Sequence, residues 1–189
     1  GNYTVLVTHD DTDITAQTGE VEVTEAGDGD LQLSQTNYRV NQGDVANITV
    51  EFDETDVGTL LVGDVEDDGY QANISVTDDD GDGQVSLLFN TYRAGQTSTG
   101  SEIVELAGNS EDDDFTFQGQ NDNSLPALLD TGDYDVSVSP TTIDSNDGSA
   151  ARSDETDIGS LVVEDRSTGE MVLWRTTGDV RDDVVDVQD

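Results

Sequence analysis

Asp78-Asp79-Asp80-Gly81-Asp82-Gly83 is the stretch whose residue types and spacing best suit a chemical task. Carboxylates at alternate positions, Asp78, Asp80 and Asp82, can converge on one hard cation such as calcium, and Gly83 permits a sharp bend. The twelfth position of such a loop is Phe89 rather than a bidentate glutamate, and the flanks read as strands, which excludes an EF-hand. The same residues also read as an acidic hairpin loop solvated by salt water. A second acidic run, Glu111-Asp112-Asp113-Asp114, lacks glycine and reads as a solvated loop. Three tripeptides, Asn2-Tyr3-Thr4, Asn47-Ile48-Thr49 and Asn73-Ile74-Ser75, can accept an N-glycan if the chain is exported. Asn47 and Asn73 each lead into a strand, where an asparagine can face solvent.

Catalysis finds little support. His9 is the one histidine and is expected in an acidic loop, so any Ser-His-Asp arrangement would have to pass through it. There is no nucleophile elbow, no phosphate-cradling glycine loop ahead of a helix and no histidine metal site. The absence of cysteine excludes disulfides, thiolate metal sites and a cysteine nucleophile. Trp174 and the few tyrosines read as core or strand residues rather than a sugar-stacking platform. The expectation is a non-enzymatic protein.

The elements that hold these residues sit in a very acidic chain. It has 44 acidic and 6 basic residues, a formal net charge of -38, and every basic residue is arginine. At low salt that much like charge repels itself and strains a compact state. At 1 M salt the Debye length is about 3 Å, so the charges barely sense one another. Molar salt as the working medium resolves the conflict. A nucleic-acid mimic would gather its acids on one face, whereas these run along the whole chain. A disordered acidic tail would lack apolar periodicity, yet 32% of the residues are hydrophobic and they alternate. Binding to nucleic-acid phosphates is excluded by the scarcity of cationic side chains. No apolar run approaches the roughly 18 residues that span a bilayer, and no signal peptide is visible. The opening Gly1-Asn2-Tyr3-Thr4, without methionine, fits a processed product or a piece of something longer.

Alternation of period two dominates. It predicts strands at Tyr3-Thr4-Val5-Leu6-Val7, Val21-Glu22-Val23, Asn47 to Phe52, Asn73 to Val76, Val85 to Phe89, Tyr134 to Val138, Leu161 to Val163 and Met171 to Trp174. Asp/Gly/Asn/Ser clusters between them are turns, because glycine tolerates positive φ and Asp or Asn bonds its own backbone. Ser101 to Ala107 is the one candidate for a short helix. Many short strands joined by turns predict an all-β, antiparallel immunoglobulin-like β-sandwich. Asp53-Glu54-Thr55-Asp56-Val57-Gly58-Thr59-Leu60-Leu61-Val62 is echoed by Asp154-Glu155-Thr156-Asp157-Ile158-Gly159-Ser160-Leu161-Val162-Val163. The echo reads as two matching entries from loop to strand, or as two duplicated subdomains. Residues 31–177 are expected to form the sandwich. Residues 1–30 are expected to close a preceding domain or extend this one, and 178–189 to be an acidic linker or the start of a next unit.

Several segments in order carry a family resemblance. They are Val40-Asn41-Gln42-Gly43-Asp44, Gly69-Tyr70-Gln71-Ala72-Asn73-Ile74-Ser75-Val76, Asp80-Gly81-Asp82-Gly83 and Phe89-Asn90-Thr91-Tyr92-Arg93-Ala94-Gly95. Gly132 to Val138 and Ile158 to Thr168 complete the set. From Tyr38 to Trp174 the chain resembles a domain that recurs in haloarchaeal surface glycoproteins, including those with a BGTF surface domain. That resemblance implies strings of β-sandwiches on exported, glycosylated chains at the cell surface. The expected role is a structural component of a surface layer or extracellular filament, partnered by copies of itself or by neighbouring domains and bearing N-glycans, with calcium expected from the spacing of Asp78, Asp80 and Asp82. The alternative is an adhesion or ligand-binding module on the same fold. An extracellular enzyme accessory domain and a virion or filament subunit are further rivals.

Overall fold

The computed structural model describes residues 2–4, 6–9, 14–17, 19, 21–22 and 29–166. Four short strands come first: β1 (Asn2–Tyr3), β2 (Leu6–His9), β3 (Ile14–Gln17) and β4 (Val21–Glu22). β1 pairs antiparallel with β4, and β2 with β3, as nested two-stranded ladders. His9 therefore ends a strand rather than lying in a loop.

Ten further strands build two facing sheets. β5 (Asp30–Leu33), β7 (Val45–Asp53), β10 (Gln84–Asn90) and β11 (Val104–Leu106) form one, in the order β11-β10-β7-β5. β6 (Asn37–Asn41), β8 (Val57–Val62), β9 (Ala72–Thr77), β12 (Asp114–Gln120), β13 (Gly132–Ser139) and β14 (Asp157–Glu164) form the other. Its order is β12-β9-β8-β13-β14-β6. Residues from both sheets make one core, including Leu31, Ile48, Val50, Leu60, Ile74, Leu87, Phe89, Val136 and Leu161. The all-β expectation holds, with two short helices, α1 (Gly100–Ile103) and α2 (Ser149–Arg152). One part of it needs correcting: the sheets are not wholly antiparallel, because β14 and β6 run parallel, from Ser160 opposite Asn37 to Glu164 opposite Asn41. The helix anticipated over Ser101 to Ala107 covers only its start. From Val104 the chain pairs with β10, because Val104 and Ile103 are needed in the core.

Alternation explains β7 well: Ala46, Ile48 and Val50 are buried while Val45, Asn47 and Glu51 are exposed. β8 and β9 are buried on both faces, because residues 140–156 lie over the outer side of their sheet. The Thr59 hydroxyl donates to the Thr141 carbonyl at 2.8 Å and the Ser75 hydroxyl to the Ile143 carbonyl at 2.8 Å. Leu61, Ile143 and Ala151 form a small second core there. Arg152 ties the cover down, 3.1 Å from Asp64 and donating to the Gly63 carbonyl at 2.9 Å.

The internal echo has a packing reason. Gly58 in β8 and Gly159 in β14 both face β5, and a Cβ on them would lie 2.3 Å from Leu31 Cδ2 and 3.0 Å from Leu33 Cδ1 respectively. Thr156 and Asp157 from the second copy occupy the free edge of β5. Leu31 N–H donates to Thr156 Oγ1 at 3.2 Å, Thr156 Oγ1 donates to the Leu31 carbonyl at 2.6 Å, and Leu33 N–H donates to Asp157 Oδ2 at 2.9 Å. An unpaired edge is thereby closed by side chains rather than by another strand. The expected strand Met171 to Trp174 and the acidic stretch 178–189 lie outside the described residues. Among the described residues no helix is long and apolar enough to cross a membrane.

Candidate metal centre

Two chain crossings between the sheets meet at one place. Residues 78–83 run from β9 to β10, and residues 107–113 run back from β11 to β12. They touch where Asp79 N–H donates to Asp113 Oδ1 at 3.2 Å. Asp78 is locked by its own loop: Oδ1 accepts from Gly81 N–H at 2.9 Å and Oδ2 from Gly83 N–H at 2.8 Å. Both glycines have positive φ, 72° and 83°, which is what allows the chain to fold back over the carboxylate. The loop is anchored to β7 by Phe52 N–H to the Gly83 carbonyl at 2.9 Å.

Carboxylate oxygens of Asp78, Asp80 and Asp113 lie within 4.8 Å of one another. Asp78 and Asp113 are only 5% and 8% exposed. None of the ion pairs among the described residues involves any of the three. At Asp80 the Asp82 backbone N–H lowers the pKa, but desolvation and the charges of Asp82, Asp113 and Asp78 outweigh it and hold the carboxyl above its ordinary value. Three crowded carboxylates, two of them buried and none paired with a base, offer what a hard dication takes: anionic oxygens, with Asp80 open to water for the remaining ligands. Calcium fits the donor set.

Asp82, expected among the ligands, is not in the group. Its Oδ1 turns away to accept from Gln84 N–H at 2.8 Å, capping the start of β10. Asp113 takes its place. Nothing local in the sequence marks Asp113, which belongs to the run read as a solvated loop; the pairing of Asp114 with Thr77 across β12 and β9 brings it in.

The other end of the β9–β12 pair is neutral and closed. Gln120 is buried, and its Oε1 accepts from the Tyr70 hydroxyl at 2.7 Å and from Gly95 N–H at 3.0 Å. Burial, with the neighbouring Tyr134, pushes the Tyr70 phenol far up, so it stays protonated. Tyr134, near the start of β13, donates back to the Asp130 carbonyl at 3.0 Å. Beside it lies a cavity of about 340 Å³ lined by Tyr70, Tyr134, Leu125, Leu128 and Leu129, with Asp68 and Asp130 at its rim.

The three glycan acceptors fare differently. Asn73 has to be corrected: it is fully buried, its amide donating to the Asn146 carbonyl at 2.7 Å and its oxygen accepting from Gln71 Nε2 at 2.7 Å. A sugar there would break the cover over β8 and β9. Asn47 stands exposed on β7. The side chain of Asn2 lies outside the described residues.

A family model described as "Domain of unknown function (DUF7827)" matches residues 23–141. A cell surface glycoprotein of Haloferax gibbonsii is 37% identical over 177 residues, covering 92% of this chain and 18% of the relative. Cell surface glycoproteins 1 and 2 of Haloarcula hispanica are 31% and 30% identical, each over 99% of this chain and 20% of the relative. The chain thus spans about a fifth of the length of the curated relatives it matches. No solved structure matches it. On this family match the chain belongs to the DUF7827 family, and its relatives are cell surface glycoproteins of halophilic archaea.

Proposed function

We propose that the chain is a non-catalytic structural domain of a haloarchaeal surface coat, an immunoglobulin-like sandwich fastened by calcium. Its relatives are surface proteins of halophiles, and its charge suits molar salt. The observation that carries the structural reading is the position of the carboxylate group. Asp78 and Asp113 sit on two separate crossings between the sheets, so a cation bound there would join the layers rather than present itself to a substrate. Two features support the immunoglobulin-like part. β5-β7-β10-β11 and β8-β13-β14 have the neighbour orders of strands A-B-E-D and C-F-G of that fold. Tyr134 makes the tyrosine corner at the start of the F-like strand. The chain visits β10, β11 and β12 in an order of its own. We read residues 31–177, with Asp30 paired into β5, as this domain, the residues before it as strands that close a preceding domain or extend this one, and 178–189 as an acidic linker or the start of a next unit.

The test is thermal unfolding in about 3 M salt with and without millimolar calcium. A ligand at 100 times its Kd stabilises by about 2.7 kcal/mol, which is roughly 5–11 °C in Tm for a chain of this size. Asp113→Asn should remove that rise and Asp82→Asn should keep it. An unchanged Tm on adding calcium would sink the calcium fastening. The rival reading, a ligand-binding module, rests on the cavity beside Tyr134; saturable binding of an oligosaccharide that is lost in Leu128→Asp would favour it.

A further inference from the structure

We propose that Asn47 carries an N-linked glycan whose first sugar packs on Val45 and Leu88, covering the outer face of the four-stranded sheet. The proposal rests on the surface reading above, and on four observations that do not depend on it. Asn47-Ile48-Thr49 is an acceptor tripeptide with its asparagine exposed, whereas Asn73 is buried and bonded. β5 pairs with β7 as far as Val50, and one further bond runs from Ser34 N–H to the Thr49 carbonyl at 3.0 Å, so among the described residues no strand flanks β7 on that side at Asn47. Asn47 stands directly opposite Leu88 of β10, and Leu88 opposite Glu105 of β11, so the three side chains form one row on the outer face. Beside that row is a shallow cleft of about 110 Å³ lined by Val45, Leu88, Asn90, Glu102, Ile103 and Glu105.

The chemistry of the cleft suits a sugar. Val45 is 49% exposed and Leu88 half-buried, on a face that is otherwise polar at Gln32, Glu51 and Gln84. The C–H face of a pyranose can lie on the two apolar side chains, burying surface at about 25 cal/mol per Å². Its hydroxyls then meet the carboxylate of Glu105, which accepts charge-assisted hydrogen bonds, and that of Glu102, whose Oε2 already accepts from Arg93. Attachment needs a lipid-phosphate-linked oligosaccharide as donor. Asn47 Nδ2 bonds to the anomeric carbon, the carbon–oxygen bond to the lipid phosphate breaks, and the amide proton leaves with the phosphate.

The experiment compares the full chain made in a glycosylating haloarchaeon with the same chain made in a non-glycosylating host. Cleavage after glutamate separates a peptide ending at Glu51, with Asn47, from residues 67–102, with Asn73. Mass spectrometry should find sugar on the first and none on the second. Asn47→Gln should remove the sugar and lower Tm in the haloarchaeal product, while leaving the Tm of the bare chain unchanged. Leu88→Ser should keep the sugar and abolish its contribution to Tm. A chain recovered from the cell surface with Asn47 bare overturns the glycan and leaves the surface reading standing; a chain retained in the cell with Asn47 bare overturns both. An equal effect of Asn47→Gln on both products overturns the packing.

Discussion

Asp78 and Asp113 are buried acids that join no ion pair among the described residues, and their charges crowd each other and Asp80. Without calcium, Asp113→Asn should therefore raise Tm slightly, and with calcium it should lower it; the crossing of the two curves is the measurement. Asp135 gives a second charge effect. Desolvation, then the charge of Asp68, raises its pKa above the ordinary 3.8, more than Arg152 lowers it. Its ionised form is thus penalised in the folded state, so this group's contribution to stability falls as pH rises through its folded pKa, in the range above 3.8. Asp135→Asn should stabilise at neutral pH and low salt, and the gain should shrink in molar salt, which screens the Asp68 charge but not the desolvation. Arg152 acts oppositely, holding Asp64, the Gly63 carbonyl and Gln71 Oε1 together. Arg152→Met should cost about 1–3 kcal/mol by leaving acceptors unpaired, read as an earlier denaturant midpoint with an unchanged slope.

Among the elements, β5 and the two glycine-bearing strands behave as one packing unit. Gly58→Ala would put a methyl 2.3 Å from Leu31 Cδ2 and 2.7 Å from the Ser139 carbonyl, so backbone as well as side chain must move. A cost of about 1–3 kcal/mol is expected from overpacking, and a smaller one for Gly159→Ala, whose nearest contact would be the Thr36 carbonyl at 2.8 Å. Chemical denaturation of the two variants orders them. β7 was legible from sequence because one face meets the core and the other meets water, and β10 and β13 because apolar residues alternate with small polar ones, although Ser86, Ser137 and Ser139 are buried too. β12 was not, since its Phe115 and Phe117 follow an acidic run and a bulge at Gly119 breaks the pattern. The parallel pairing of β6 with β14 joins residues far apart in sequence, which no local period encodes. The same holds at the candidate metal centre: Asp78 and Asp80 carry a recognisable spacing, and Asp113 is supplied by topology alone.

For the molecule as a whole, the charge of -38 dictates behaviour in solution. Between about 1 M and 0.1 M salt the Debye length grows from about 3 Å to about 10 Å, so the fold should lose stability steadily on dilution, followed by circular dichroism. On the proposed calcium fastening, the loss should shift to lower salt when calcium is added, because a dication among Asp78, Asp80 and Asp113 would neutralise crowded acids. The parallel β6–β14 pair has a mechanical consequence. The chain enters the pair at Asn37 and leaves it at Glu164, at opposite ends of two strands aligned side by side. Tension applied through those two points slides one strand along the other, so all the bonds between them, flanked by Ser160 N–H to the Thr36 carbonyl and Gln42 N–H to the Glu164 carbonyl, are strained together rather than opened one at a time. A pull between Asn37 and Glu164 would thus meet a shear clamp that lets go all at once.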